Sequence, residues 1–484
     1  MDNFIHDFVH TLSLSEKAYF KKFASFHHGN KDKNYLRLYE LLMKDEVFEE
    51  EKLTDSLSKI GLAKHYSSEQ NYLYRQLMTG LINFHFENTT YRKLTKQILA
   101  IDLLMEKGFR KKANKVLRKA KKLATDLEEF SILLKLIQLE EEILFREGIL
   151  NFTKKLRELK QERQRVMLII ENYSDLRLLR EQIRELQYTV HYYKEFEQYL
   201  DLLNPPIMDD VANALSIKAL SHWYYIKMSI ANMKEEAIES LQAGLDTLEL
   251  IDRNPALFPS LQRAVTLSNI IFDAIVLNDR SFFDKTMIEL KSQTDVDKYY
   301  LMYVEYVRKL KFGITNHQID LLEETLPAAN NFIFSQHHLI ETAQRNNLFV
   351  VLANGWLVLK KFTKAIELLN HWEQIHNKSL FLSFRRMARL IIYYELKWHS
   401  LLESEIQSTY KILKKHGVYE KREQVLLAFF RSVVKKPTHQ QQARKQLCEK
   451  LTAIEANPEL RLFYPDFDYL FWANGGVKEK INIA

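Results

Sequence analysis

Glycine and proline are scarce in this chain of 484 residues, which contains 11 glycines and 8 prolines. Average usage of about 7% and about 5% would give roughly 34 and 24. Folds with many tight turns need glycine wherever the backbone takes a positive φ angle. Long helices joined by short polar turns need far less, so the composition favours an all-α fold. It argues against Rossmann sheets, immunoglobulin sandwiches and propellers.

Apolar residues recur with the 3.6-residue period of an amphipathic helix almost everywhere after residue 90. In residues 107–124 the predicted apolar stripe consists of Phe109, Ala113, Val116, Leu117, Ala120 and Leu123. The opposite, basic face of the same helix consists of Lys111, Lys115, Arg118 and Lys122. No window alternates with the two-residue period of a strand for long enough to build a sheet.

The chain divides into three predicted segments. Residues 1–90 form an N-terminal helical unit, and residues 91–458 form a helical repeat array with a candidate break near 204–210. Residues 459–484 form an aromatic C-terminal cap and tail, with six aromatic residues between 463 and 472. We interpret these aromatic residues as a closing helix over the last repeat, with a base-stacking platform or a partner anchor as alternatives.

One stretch, residues 348–376, carries the clearest repeat pattern. Its first predicted helix contains Phe349, Leu352, Ala353 and Trp356, and its second contains Phe362, Ala365, Leu369 and Trp372. The spacing resembles the tetratricopeptide repeat, with Phe for Trp, Ala for Gly, Leu for Phe, and Asn377 at the usual closing proline. Partial echoes centred near residues 113, 155, 237 and 286 indicate a period of about 40 residues. The opening of the chain also resembles that of uncharacterised bacterial all-helical proteins, which implies no activity.

The resemblance implies a right-handed α-solenoid of stacked helix pairs whose first helices line a concave groove. The implied groove residues are Asn347, Val350, Asn354 and Leu357 in the clearest repeat, His222 and Ile226 in a second, and Ile271, Ile275 and Asn278 in a third. In peptide-binding members an asparagine on this face often holds the ligand backbone or a carboxylate, and Asn354 matches that position. Ordinary polar residues on a helix surface would give the same pattern.

Catalytic and metal-binding signatures are absent from the sequence. It has no Walker A, G-x-G-x-x-G, G-x-S-x-G or H-E-x-x-H motif. The single cysteine, Cys448, excludes an intrachain disulfide and a zinc site built on several thiolates. His6 and His10 have the spacing of a metal-binding pair, with Asp2 one turn earlier, but chance alone gives such a pair among 16 histidines. We predict no enzymatic activity, no cofactor and no metal.

The sequence also predicts a soluble, cytoplasmic protein without membrane contact. The N-terminal residues contain acidic side chains and no apolar core run, unlike a secretory signal. The longest uncharged apolar stretch, residues 346–359, is shorter than the roughly 20 residues that span a bilayer.

Two basic segments provide the alternative function. Residues 91–122 carry a net charge of +10 and residues 411–450 a net charge of +8, on a chain whose total is +7. Such faces attract acidic partners, although solvated helix faces would look the same. The helices near residue 52 could imitate a helix-turn-helix, yet the segment KLTDSLSKIG has no arginine or asparagine to read bases. Whether the N-terminal unit binds DNA stays open.

These observations predict a non-enzymatic scaffold or adaptor that binds a protein or peptide segment in its groove, through His222, Asn278, Asn347 and Asn354. The alternative is a regulatory protein that binds nucleic acid through Lys111, Lys115, Arg118 and Lys122. A third hypothesis joins the two, with an N-terminal unit that meets DNA and repeats that sense a peptide. The partner and the oligomeric state are left open by the sequence.

Overall fold

A computed structural model of the protein describes residues 4–26, 34–44, 49–86, 89–147, 152–189, 199–372, 379–457, 460 and 467–475. Of these residues 85% are helical and none lies in a strand. Most described helices pack on the helix before or after them in the chain, whereas Leu14–Phe26 and Asn34–Leu42 both pack on Tyr66–His85. The prediction of an all-α fold built from successive helices is therefore confirmed.

The chain forms two compact units, Met1–Met167 and Leu168–Ala484. The described helices of the first unit are α1 (Phe4–Thr11), α2 (Leu14–Phe26), α3 (Asn34–Leu42), α4 (Glu50–Lys59), α5 (Tyr66–His85), α6 (Thr90–Glu106), α7 (Arg110–Asp126) and α8 (Phe130–Glu147). Helix α9 (Phe152–Thr189) contains the division between the units. The sequence placed a boundary at residue 90 and none within α9, because no proline or glycine interrupts the helical pattern of α9.

The second unit continues from α9 as a series of helix pairs. Its helices are α10 (Leu200–Leu203), α11 (Ile217–Met233), α12 (Ala237–Arg253), α13 (Ser260–Val276), α14 (Arg280–Lys291), α15 (Lys298–Thr315), α16 (Ile319–Gln336), α17 (Thr342–Val358), α18 (Phe362–Trp372), α19 (Ser379–Glu395), α20 (His399–Lys415), α21 (Lys421–Lys435), α22 (Gln440–Glu455) and α23 (Tyr469–Ala473). Short 3-10 turns occupy Ala63–His65, Pro206–Met208, Val211–Asn213, His337–Leu339 and Pro437–His439. The first helices of successive pairs, from α13 to α21, also contact one another. This is the packing of a solenoid-like array.

The N-terminal helices enclose a core of their own around Phe20 and Tyr39, whose rings lie 5.0 Å apart. A capping box formed by Ser13 and Glu16 begins helix α2. The backbone N–H of Ser13 donates to Glu16 Oε2 at 2.7 Å, and that of Glu16 donates to Ser13 Oγ at 3.3 Å. A hydrogen bond from His85 and these Ser13 contacts lower the pKa of Glu16 to about 2.

The predicted histidine pair lies beside this core, and His6 is buried. The rings of His6 and His10 lie 4.5 Å apart, and His10 Nε2 donates to the carbonyl of Leu42 at 2.9 Å. Asp2 lies outside the described residues. Among the residues that are described, no group of three or more side chains is arranged to hold a metal ion.

Five helix pairs of the second unit turn at a non-glycine residue with positive φ. These turn residues are Glu235, Asn278, His317, Lys360 and Lys397, with φ between 52° and 60°. At the end of α17 the N–H of Lys360 donates to Leu357 O at 3.0 Å and that of Lys361 to Trp356 O at 2.9 Å, so the last carbonyls of the helix are satisfied. The turn residues follow one another at intervals of 37 to 43 residues, in agreement with the predicted period.

The same turns fix the register of the second helices. The residue five positions after each turn residue is fully buried: Ser240, Phe283, Leu322, Ala365 and Leu402. Ala365 therefore lies where the sequence placed it, whereas the echoes at Ala237 and Thr286 lie two and eight positions after their turns. In the α15–α16 pair the small residue is on the first helix instead. A Cβ on Gly313 would lie 2.7 Å from the side chain of Leu322.

Candidate functional site

Helix α17, the first helix of the clearest repeat, is enclosed on every side. Ten consecutive residues, from Leu348 to Leu357, are buried. Three of the four residues that the sequence assigned to the groove lie in this run, and Asn354 is only 4% exposed. At this repeat the predicted groove face is therefore covered rather than open.

The C-terminal segment, Phe467–Gly475, lies beside this face. Phe467, Tyr469, Trp472 and Ala473 belong to the same hydrophobic core as α17. Leu357, a predicted groove residue, lines a cavity of about 130 Å³ together with Phe467, Phe471 and Trp472. The chain's own C-terminal segment thus lies beside one of the four residues that the sequence assigned to the groove of this repeat.

Trp472 is the main anchor of the C-terminal segment. Its indole N–H donates to Glu395 Oε1, at the end of α19, over 2.8 Å. Arg444 of α22 donates to the carbonyls of Trp472 and Ala473, both at 2.8 Å, and its guanidinium lies 5.3 Å from the centre of the Trp472 ring. Rings of α19 and α21 enclose the indole: Tyr394, Phe429 and Phe430.

Two turn residues of the array hold the rest of the segment. The ring of His317 stacks on Phe471 with centroids 3.9 Å apart, and Lys360 Nζ donates to the carbonyl of Gly475 at 3.0 Å. Asp468 accepts a 2.7 Å hydrogen bond from the N–H of Phe471 and so caps the short helix α23. The segment therefore contacts helix pairs well before the last one, which the prediction of a terminal cap did not include. Phe463 and Tyr464, also assigned to that cap, lie outside the described residues.

A row of polar side-chain contacts joins successive first helices of the second unit. The contacts are Arg180–His222 at 3.1 Å, Ser268–Arg308 at 3.1 Å, Tyr303–Asn347 at 2.8 Å and Ser383–Glu423 at 2.9 Å. Each spans 40 to 44 residues, one step of the array. Two predicted groove residues, His222 and Asn347, are thus engaged in contacts between neighbouring pairs. Burial, and then the nearby Arg180, lower the pKa of His222 to about 4.

The predicted groove residues lie on different helix pairs. His222 is on α11, Asn347 and Asn354 are on α17, and Asn278 is the exposed turn residue after α13 with φ of 53°. Asparagine tolerates this left-handed conformation better than most residues, so the turn explains Asn278. The contacts of Glu395, Arg444 and His317 were missed by the sequence, since no local pattern connects these residues with a segment far along the chain.

The basic face of α7 is open, as predicted. Arg110, at the start of this helix, donates to the carbonyl of Arg146 at 2.7 Å. Six further cations are exposed and form no ion pair with a described residue: Lys111, Lys112, Lys115, Arg118, Lys119 and Lys122. Lys121, between them in sequence, instead contacts Glu140 at 2.6 Å and Glu162 at 2.7 Å. The buried side of the helix consists of Ala113, Leu117, Ala120 and Ala124. Phe109 was wrongly placed in that stripe: it precedes the helix and is 62% exposed.

Comparison of the chain with models of protein families, with curated proteins and with solved structures finds no match. Within the described ranges, no helix combines the length and apolar character that crossing a bilayer requires.

Proposed function

We propose that this protein is a cytoplasmic, non-enzymatic helical-repeat scaffold or adaptor of tetratricopeptide-like type that binds a protein or peptide segment. The single observation that carries the proposal is the site that holds the C-terminal segment, Phe467–Gly475, which we call the peptide seat. There the α15–α16 turn, α17, α19, α21 and α22 together hold nine residues of extended chain and short helix. A surface that holds one peptide by such contacts is suited to hold another of similar chemistry.

The contacts at this seat divide between backbone and side-chain recognition. Arg444 and Lys360 bind backbone carbonyls, which every peptide offers. Glu395 and His317 contact Trp472 and Phe471, and aromatic anchors of this kind supply most of the energy at protein interfaces. The seat therefore favours aromatic peptides over others while it accepts variation elsewhere in their sequence.

Panning of a random peptide display library on the full-length protein tests the proposal. The selected peptides are measured against Arg444→Met, which removes the donor to two carbonyls, and against a matched control in which Lys111 and Lys115 become Glu. We expect aromatic peptides whose affinity falls at least tenfold with Arg444→Met and stays unchanged in the control. A library without any binder would contradict the proposal.

A second candidate function has its own observation, the six exposed cations of α7. Over 11 residues from Lys111 to Lys122 an α-helix rises by about 16 Å, so the cations can follow several phosphates of a nucleic-acid backbone. Arrays of lysine and arginine without base-reading side chains give binding that depends on salt and not on sequence. We propose this as a property of the first unit that is independent of the peptide seat.

A further inference from the structure

The C-terminal segment is attached through contacts that hold a ligand in peptide recognition. Arg444 and Lys360 donate to the backbone carbonyls of Trp472, Ala473 and Gly475. These bonds depend on the backbone of the segment and not on its side chains. Aromatic side chains then supply the specificity, as in other peptide complexes.

Empty space borders the segment on two sides. A cavity of about 130 Å³ lies between the rings of the segment and the end of α17. A cleft of about 850 Å³ lies between its last residues and one face of α22, next to Cys448. The segment therefore combines buried anchors such as Trp472 with borders where it meets open space.

The sequence of the segment matches the groups that receive it. Glu395 accepts the indole N–H of Trp472, and His317 stacks on the ring of Phe471. Arg422 lies 5.0 Å from the ring centre of Tyr469. Asp468 accepts from the N–H of Phe471 and fixes the helical turn that presents these rings. The recognised pattern is an acidic residue followed, within one helical turn, by aromatic residues.

We propose that this site binds a partner peptide of the same acidic and aromatic pattern, and that the chain's own C-terminal segment is its competitor. The inference rests on the proposed function and names the ligand class of the same seat. A tethered ligand has an effective concentration in the millimolar range. A peptide in solution therefore binds only to the fraction of molecules whose own segment has left the site.

A synthetic peptide with the sequence of residues 467–475 is the probe, and the full-length protein is the receptor. A fluorophore on Cys448, the only cysteine, reports events at the cleft that it lines. The variant Phe471→Ala/Trp472→Ala weakens the attachment of the chain's own segment and leaves the receiving helices intact. We expect this variant to bind the probe at least tenfold more tightly than the wild-type protein does.

Two controls establish that the probe binds at the seat. A probe with alanine in place of tryptophan should bind at least tenfold more weakly. Adding Glu395→Ala to the double variant should lower the affinity for the unmodified probe to a similar extent, because the acceptor for the indole is lost. If the double variant does not unfold cooperatively, Asp468→Ala replaces it. Loss of that helix cap weakens docking about fivefold, and Asp468 is half-exposed.

The outcomes separate this inference from the proposed function. A folded variant that binds no probe would show that the segment is a permanent part of the fold, and equal affinity in variant and wild type would place the probe elsewhere. Either result overturns the inference. Peptides selected from the library that are not displaced by the probe would also overturn it, while the proposed function would stand.

Discussion

Helices α7 and α17 have the same length, 17 residues, and opposite surroundings. In α7 four small or apolar residues are buried at helical spacing, and the cations between them face water. In α17 ten consecutive residues are buried, and they include Gly355, on which a Cβ would lie 2.8 Å from Leu326. The first helix has one partnered face, whereas the second is enclosed by its neighbours along the array.

Because their surroundings differ, α7 and α17 are suited to different kinds of partner. The charged face of α7 is exposed, so a partner can reach it without any rearrangement. The predicted groove face of α17 is buried, and the C-terminal segment lies beside Leu357 at its end, so a partner at this point must first displace that segment. An open cationic surface implies binding controlled by salt, and a covered apolar surface implies binding controlled by competition.

The largest expected effect is on nucleic-acid binding by α7. Changing Lys111, Lys115, Arg118 and Lys122 to Glu reverses the charge of its open face. We expect affinity for duplex DNA in 50 mM salt to fall about 100-fold or more, because each lost phosphate contact removes about 0.9 from the slope of log affinity against log salt. Fluorescence anisotropy over a salt series measures both quantities.

The control for this experiment is the fold of α7 itself. The buried side of the helix is untouched, so helicity by circular dichroism should persist. A complex of the wild-type protein that survives 0.5 M salt and discriminates between sequences would contradict a purely electrostatic surface. It would also move nucleic acid ahead of peptide as the first candidate.

The two helices also show how much of the structure could be predicted from the sequence. Four of the six exposed cations on the open face of α7 were predicted, since an amphipathic pattern is local and its polar side needs no partner. The spacing of the turns was predicted, but the residues that form them were not. Lysine, glutamate, asparagine and histidine there take a left-handed conformation in which glycine is expected. The contacts of the C-terminal segment were not predicted, since they depend on pairs such as Trp472 and Glu395, which are 77 residues apart in the chain.

A buried carboxyl group in the second unit should make the free energy of unfolding depend on pH rather than on salt. Asp273 is fully buried and accepts from Ser240 Oγ at 2.8 Å. Burial raises its pKa to about 7, against a weaker opposing effect of Ser240, Arg308 and Asn232. The folded protein therefore holds this proton more tightly than the unfolded chain, and the free energy of unfolding falls as pH rises from about 4 to about 7.

The variant Asp273→Asn removes this proton and keeps an acceptor for Ser240. Relative to the wild-type protein, it should gain about 4 kcal/mol of stability between pH 4 and pH 8, since one proton contributes ~1.4 kcal/mol per pH unit over the interval between the two pKa values. Urea denaturation at each pH measures the difference. His222, whose lowered pKa acts in the opposite direction, cancels because it is present in both proteins. A constant difference across this range would show that Asp273 is ionised in the folded state.

A larger side chain between α17 and α18 tests how closely these two helices pack. Ala365 is fully buried where α18 packs on α17, so Ala365→Leu should destabilise the protein by about 1–3 kcal/mol. Thr363→Leu, at an exposed position of the same helix, is the matched control and should stay within about 0.5 kcal/mol. Equal urea midpoints for the two variants would contradict the close approach of α17 and α18.

The smallest effect concerns two turns, one directly before α7 and one in the helical array that contains α17. Gly108 precedes α7 with φ of 81°, and Lys397 occupies the corresponding turn between α19 and α20 with φ of 57°. The hydrogen bonds agree: Phe109 N–H donates to Leu104 O at 2.8 Å, and Trp398 N–H donates to Tyr393 O at 2.9 Å. The turns therefore differ in residue type and not in geometry.

The variants Lys397→Gly and Gly108→Lys exchange the residue types of the two turns. A side chain in the left-handed region costs about 1–2 kcal/mol, of which the greater freedom of glycine in the unfolded chain offsets about 0.5–1 kcal/mol. We therefore expect Lys397→Gly to stabilise the second unit by about 0.5–1 kcal/mol and Gly108→Lys to destabilise the first unit by a similar amount. Lys397 is chosen over Lys360 because Lys360 also donates to Gly475, and its loss would loosen the C-terminal segment. Urea midpoints that move in the same direction for both exchanges would show that the two turns are strained differently.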